Sequence, residues 1–517
     1  MKTYVLLFIL TLAVYAVRIP IINTLPNRDA GAYLIVADNF PNIFPYKDIW
    51  DHHPPGIYLF NIVANFLPFS TLWDFWVLEI ILFYSGILIA WHVLKQLTEG
   101  IPIIITLILG TTLYSILLKT GNFPEELTWL WQWLIIYVIY IWTVKKDFNL
   151  LNGFLMGFGF GVLWLIKPNL IALPLAAGLS LILPLFKNLK NKNRERWLYL
   201  NKILSFIKLR WKLGGLILIT FIIINVLVLL IIYFKGALLD YMDQVWVYNM
   251  SYTNVSLFDR IKAIVAGLLV LSPLVSLFFI SIILKKFSFS RNSNFWITII
   301  FAFLLEMVLS SASGRIYPQY YLSWIPALCV LNLPMISIIH AKFRTRVLYY
   351  QLGIYFFLLL STLGSNFYSI QRIQAKDETN ITRMNSIKIL NNTLVSNSPI
   401  LFWGAEQSVQ WLTGKSLASK YLYHYPLLSP SYSTESQIQS FVNDIRRSRP
   451  ELIVDTSSTN HLIPPINPET RNVWNSENPQ YQNIEYLKDW YEYIDSNYKL
   501  IYSISPGDWV VYQLKSH

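Results

Sequence analysis

The chain has 517 residues, of which 55% are hydrophobic, 16% aromatic and only 14% charged, with a mean hydropathy of +0.45. So apolar a composition excludes an ordinary soluble globular protein and indicates a polytopic membrane protein. The formal charge of +12 then reads as a topology signal and an attraction to anionic lipid rather than to nucleic acid. A lone cysteine, Cys329, excludes a disulfide framework and a Cys-based metal site.

Roughly 20 apolar residues cross a bilayer as a helix. About eleven such windows run along the chain, at 3–22, 71–94, 101–118, 126–144, 149–166, 170–186, 214–234, 261–284, 294–312, 320–340 and 347–368. The first follows Lys2 and lacks a small-residue cleavage site, so we expect a retained helix rather than a signal peptide. Alternating the windows from a cytoplasmic N-terminus puts four basic clusters on one side. These are Lys145/Lys146, the nine Lys and Arg of 187–212, Lys285/Lys286/Arg291 and Lys342/Arg344/Arg346. That is the positive-inside pattern. It places the long first loop, about 23–70, outside, with shorter loops near 119–125, 167–169, 235–260 and 313–319.

From about 369 onward the composition turns to Ser, Asn, Asp and Tyr with no spanning run. We therefore expect two domains, a membrane domain over 1–368 and a soluble extracytoplasmic α/β domain over 369–517. In the latter, 382–396 and 406–412 read as helices, ILFW (400–403) and ELIVD (451–455) as strands. KLIYSI and DWVVYQL flank Ser505-Pro506-Gly507 as a hairpin. The expected fold class is a mostly α polytopic membrane protein of about eleven spans with a small C-terminal α/β domain.

An ionisable residue near the centre of a span costs about 2.5 to 3.5 kcal/mol on insertion scales, so the positions of such residues carry information. Asp74, Glu79, Lys167 and Glu306 fall toward the outer ends of spans, and Arg315 lies just beyond one. With Arg28, Asp29, Lys47, Asp48, Asp51, His52, His53, Glu125 and Glu126 they form an outward-facing polar ring. Asp29 precedes Ala30-Gly31-Ala32, small residues that let another group approach the backbone. It reads either as a general base for an incoming hydroxyl or as the N-cap of the following helix.

Asp51-His52-His53-Pro54-Pro55 reads in three ways: a rigid turn presenting imidazole and carboxylate to an anion or a neighbouring loop, a metal site, or a solvated turn. Lys167-Pro168-Asn169 and Gly314-Arg315-Ile316-Tyr317 each set a cation at the depth of a lipid phosphate, which Arg can bind through two parallel hydrogen bonds. Arg315 also opposes the topology rule. Tyr317, Tyr320 and Tyr321 suit either sugar stacking or the interfacial aromatic belt.

In order and in common side, these motifs resemble the GT-C glycosyltransferases that use polyprenyl-phosphate sugars, the group of protein mannosyltransferases and the lipid A aminoarabinose transferase. The resemblance rests on Asn27-Arg28-Asp29, the D-x-K-P-P-like Asp51 to Pro55, Lys167-Pro168, and Gly314 to Tyr317. It implies Asp29 as catalytic carboxylate and Lys167, Arg315 and His53 as contacts of the donor phosphate. Arg28, Asp51, His52, Glu125 and Tyr317 are further candidates of the active region. Two departures stand out. Asp29 is followed by Ala30 where many relatives carry an acidic pair, so a divalent metal lacks a clear motif, and His53 replaces the usual Lys of K-P-P, making that charge titratable near neutral pH.

The implied reaction moves a sugar from a polyprenyl-phosphate donor to an acceptor hydroxyl at the outer face of a cell membrane. The acceptor is a glycan, a lipid, a protein or a small hydroxylated molecule. Two rivals remain: a transporter or flippase for a lipid-linked saccharide, whose site belongs near the membrane midplane, and a membrane anchor for an external binding domain.

Overall fold

The computed structural model describes residues 2–16, 18–20, 25–118, 121–189, 196–283, 289–342, 378–393, 398–429, 431–478 and 486–515. Sixteen helices make up its membrane part among these residues. They are α1 (Lys2–Ala16), α2 (Arg28–Asn39), α3 (Pro55–Ala64), α4 (Thr71–Leu97), α5 (Ile101–Leu118), α6 (Pro124–Leu127), α7 (Trp129–Tyr140), α8 (Leu150–Ile166), α9 (Ala172–Leu189), α10 (Arg196–Phe234), α11 (Leu238–Tyr241), α12 (Tyr248–Tyr252), α13 (Leu257–Val270), α14 (Ser272–Ile283), α15 (Phe289–Ser310) and α16 (Ile325–Lys342).

Among the described residues six helical runs are long and apolar enough to cross a bilayer: α4, α5, Pro124–Lys145, Arg210–Phe234, Ser293–Ser310 and Pro318–Ala341. The pair α13 and α14, bent by 88°, adds a seventh if it counts as one crossing. The expected eleven are therefore not all found as full-length spans. The window at 149–166 coincides with a 17-residue apolar helix that ends at Lys167-Pro168, whereas the windows at 3–22 and 170–186 reach into residues that are not fully described. A 17-residue helix rises only about 26 Å. The window at 347–368, the boundary at 368/369 and the charges Lys285, Lys286, Arg344 and Arg346 lie outside the described residues.

Lipid gives helices no hydrophobic reason to associate, so close packing depends on small residues. Gly153, Gly157 and Gly161 line the face of α8 that meets α10, and a Cβ at Gly157 would lie 2.6 Å from the Ile217 carbonyl oxygen. The opposite side of α10 leaves Leu218, Ile222 and Leu227 exposed, as a lipid-facing helix does. Between α11 and α12 the chain runs through a π-helical stretch, Met242–Val247, a local geometry that concentrates at functional sites.

The C-terminal segment contains α17 (Glu378–Thr393), α18 (Gln407–Thr413), α19 (Tyr425–Leu428), α20 (Glu435–Ser448), α21 (Pro468–Glu477) and α22 (Lys488–Asn497). Its four strands are β1 (Ile400–Trp403), β2 (Leu452–Asp455), β3 (Tyr498–Ile504) and β4 (Trp509–Leu514), in sheet order β1-β2-β4-β3. β1 and β2 are parallel, with Ile400 opposite Leu452, and β4 is antiparallel to both its neighbours. All four expected strands and the hairpin are present.

Side chains alternate between the faces of the sheet. Ile400, Phe402, Leu452 and Val454 pack with Leu390 and Trp509 on one face. Leu401, Trp403 and Ile453 face the other way and join one continuous apolar core with Ala30, Tyr33, Trp50 and Tyr58 of the first loop region. The first loop and the C-terminal sheet thus share a core, and a cavity lies at their junction with the helical body.

Candidate active site

The helix α2 begins at Arg28, and its N-cap is Asn27, whose side chain makes no capping bond. Asp29 therefore sits inside the first turn, where the helix N-terminus favours a negative charge, and is not the cap. Among the described residues its carboxylate has no hydrogen bond or ion pair, and it faces a cavity of ≈ 850 Å³. Arg28, beside it, donates through Nη1 to Asn460 Oδ1 at 3.0 Å.

Asp51 lies behind the cavity wall, 1% exposed. Its Oδ1 accepts from the His52 backbone N–H at 2.7 Å, pairs with His53 Nδ1 at 2.8 Å and accepts from the Tyr423 hydroxyl at 3.2 Å. Its Oδ2 accepts from Tyr58. This excludes the solvated turn. Burial opposes a charge on Asp51, yet the adjacent His53 and His52 outweigh it and hold the carboxyl well below its usual range. Burial likewise opposes charge on both imidazoles. At His53 the Asp51 carboxylate prevails and the pKa rises; at His52 burial, with the neighbouring His53 charge, keeps it lowered.

Asp51, His52 and His53 offer ligand atoms within 4.8 Å of one another, closer than adjacent residues usually manage. Much of this donor set is already used within the protein. Both Asp51 oxygens are taken by hydrogen bonds, and both Nδ1 atoms are engaged, that of His52 with Tyr423 at 2.6 Å. No step is therefore routed through a metal here.

Lys167, the C-cap of α8, bonds through Nζ to Glu125 of α6 and lies 4.0 Å from the centre of the Tyr320 ring. Arg315 stands on the loop after α15, exposed, 5.3 Å from the Tyr252 ring centre. Arg28, Asp29, His52, His53, Glu125, Lys167, Arg315 and Tyr317 all line the one cavity. Other members of the expected ring lie elsewhere. Glu79 and Glu126 clasp Arg18 in a second buried cluster, Asp74 accepts the Phe69 backbone N–H, and Asp48 accepts that of Phe44. Lys47 donates to the Lys235 carbonyl.

Sequence reasoning missed Tyr248, Tyr252, Asn249, Gln407, Tyr423 and Tyr425, which complete the wall. The aromatic run Tyr421-Leu422-Tyr423-His424-Tyr425 was the available signal; its partner across the fold was not.

No protein-family model and no curated protein matches the chain. Solved structures do. ArnT from Cupriavidus metallidurans bound to undecaprenyl phosphate superposes with a TM-score of 0.62 at 12% identity, over 99% of this chain and 98% of that one. The same protein in its apo state gives 0.58 over the same shares, also at 12% identity. An oligosaccharyltransferase from Archaeoglobus fulgidus gives 0.45 at 10% identity, over 98% of this chain and 73% of that one. The chain thus has the fold of ArnT. It is a multi-pass membrane protein.

Proposed function

We propose that the protein is a membrane glycosyltransferase that transfers a sugar from a polyprenyl-phosphate donor to an acceptor hydroxyl at the outer face, with Asp29 as general base. One observation carries this reading: a cavity that gathers an unpaired carboxylate, Asp29, and three cationic groups, His53, Lys167 and Arg315, from separate parts of the chain. The ArnT fold supports it, since ArnT is solved with undecaprenyl phosphate bound.

The residues divide the work. Lys167, Arg315 and protonated His53 hold the donor phosphate and stabilise the charge that grows on it. Glu125 and Tyr320 hold the Lys167 ammonium in place, and Asp51 does the same for His53. Asp29 takes the proton of the acceptor hydroxyl, whose oxygen attacks the anomeric carbon. The anomeric C–O bond breaks and its electron pair leaves with the lipid phosphate. A single in-line displacement of this kind inverts the anomeric centre. In this reading the membrane domain spans 1–368 with a cytoplasmic N-terminus, and 369–517 forms an extracytoplasmic domain.

Purified protein in nanodiscs, given a panel of synthetic polyprenyl-phosphate sugars and candidate acceptors, tests this directly. Acceptor-dependent transfer that vanishes in folded Asp29→Asn is the expected result. No turnover, with movement of labelled lipid across a vesicle bilayer that survives Asp29→Asn, points to the transporter instead.

A further inference from the structure

A carboxylate that must accept a proton gains nothing from having its oxygens tied up, yet a base works only at a defined position. Among the described residues the Asp29 carboxylate makes no hydrogen bond or ion pair, so the backbone of α2 must supply the precision. The C-terminal segment holds much of α2, with Thr71 and Asn65 adding bonds at its far end. A Cβ at Gly31 would lie 2.1 Å from the Gln407 carbonyl carbon and 2.3 Å from the Ser408 nitrogen, so α2 abuts the start of α18 with no room for a side chain.

At the N-terminal end of α2, Arg28 donates to Asn460 Oδ1 and places Nε 3.9 Å from Glu406 Oε1. Both partners are buried, Glu406 at 0% and Asn460 at 2% exposure. Arg383 grips Glu406 through Nε at 2.6 Å and Nη2 at 3.0 Å. Asn460 Nδ2 donates to Glu406 at 3.2 Å and to the Thr456 carbonyl at 3.1 Å. At the far end Asp38 accepts from Trp411 Nε1 at 2.6 Å and from the Thr71 hydroxyl at 2.8 Å. The helix is thus pinned at both ends and in the middle.

We infer that Glu406 and Asn460 are positioning residues, and that the C-terminal segment is a clamp fixing α2 so that Asp29 meets the acceptor hydroxyl. This rests on the general-base role of Asp29 proposed above. Neither residue lines the cavity, so neither touches substrate. Lys167 and Arg315 lie outside α2, and His53, whose ring meets Tyr33 of α2 edge to face, is held by Asp51.

The test uses the full chain in nanodiscs, with Asn460→Ala, Glu406→Gln and Gly31→Ala compared with wild type and Asp29→Asn. A displacement of about 1 Å can cost about 100-fold in rate. We expect a loss of that order in kcat, undecaprenyl phosphate binding unchanged, and faster backbone hydrogen exchange over 28–39. On the Asp29→Asn background, Asn460→Ala should lower the residual rate no further. Wild-type kcat in all three variants beside an inactive Asp29→Asn overturns the clamp alone. An equal loss of undecaprenyl phosphate binding, or a further loss on the Asp29→Asn background, also overturns it by marking a general structural role. A wild type that transfers no sugar overturns the base role, and the positioning role with it.

Discussion

At the scale of single residues, the Asp51 and His53 pair sets the chemistry of the cavity wall. Because Asp51 raises the His53 pKa against the effect of burial, the imidazolium persists past the usual imidazole range. Its charge is present at low pH and is lost as pH rises through the raised value. Binding of undecaprenyl phosphate should therefore weaken on going from pH 6 to pH 9. His53→Lys should flatten that profile, since a Lys stays charged across the range, and titration of binding against pH checks this. Stability follows the same sign: the His53 contribution is complete below the ordinary imidazole pKa and fades as pH rises through the folded value. Asp51, held low, contributes above the ordinary carboxylate pKa and is lost on acidification. Asp51→Asn removes the counter-charge that keeps His53 protonated, so the imidazole should lose its proton at lower pH, read as weaker pH dependence of binding and a lowered melting temperature at neutral pH.

At the scale of elements, α6 links two buried ionic groups. Its Glu125 holds Lys167 at the cavity, while the next residue, Glu126, accepts from Arg18 Nη2 at 2.7 Å and from the Tyr15 hydroxyl at 2.8 Å. Arg18 also reaches Glu79 of α4 at 3.1 Å, and its side chain is 7% exposed. Arg18→Met removes the cation between two buried carboxylates, so we expect a loss of about 3–5 kcal/mol and a secondary fall in donor binding as α6 shifts. Unchanged thermal stability in nanodiscs would speak against this account. The α8–α10 contact makes a similar point. Gly157→Leu adds a side chain where there is no space for a Cβ, and α10 should become accessible to protease.

At the scale of the whole molecule, the first loop and the C-terminal sheet form one core. Trp50 donates its backbone N–H to the Lys420 carbonyl at 2.8 Å, and Trp403 is fully buried. Trp403→Ala should cost about 3–5 kcal/mol. Because that core also carries α2 and the Asp51 turn, the loss should reach donor binding and turnover together, not the C-terminal segment alone. Parallel measurements of melting and transfer separate this from the clamp variants, in which binding is expected to survive.

Much of this was legible in the sequence, for reasons that are local. Apolar run length marks membrane helices, short continuous apolar runs mark β1 and β2, and Ser505-Pro506-Gly507 marks the hairpin. The expense of ionisable residues near a bilayer drew attention to Asp29, Lys167 and Arg315. Contacts between distant segments carry no such mark. Nothing in Asp51-His52-His53 announces that Tyr423 will bond to it across the fold, nor does Arg18 announce Glu79 and Glu126. Nor does a run of apolar residues reveal how many of them serve as breaks or short helices. The sequence by itself determined the membrane class, the C-terminal strands and the residue types of the site, because burial cost and periodicity act along the chain. Only the tertiary structure decided which charges meet, which carboxylate stays free and what holds α2, because those depend on packing between segments hundreds of residues apart.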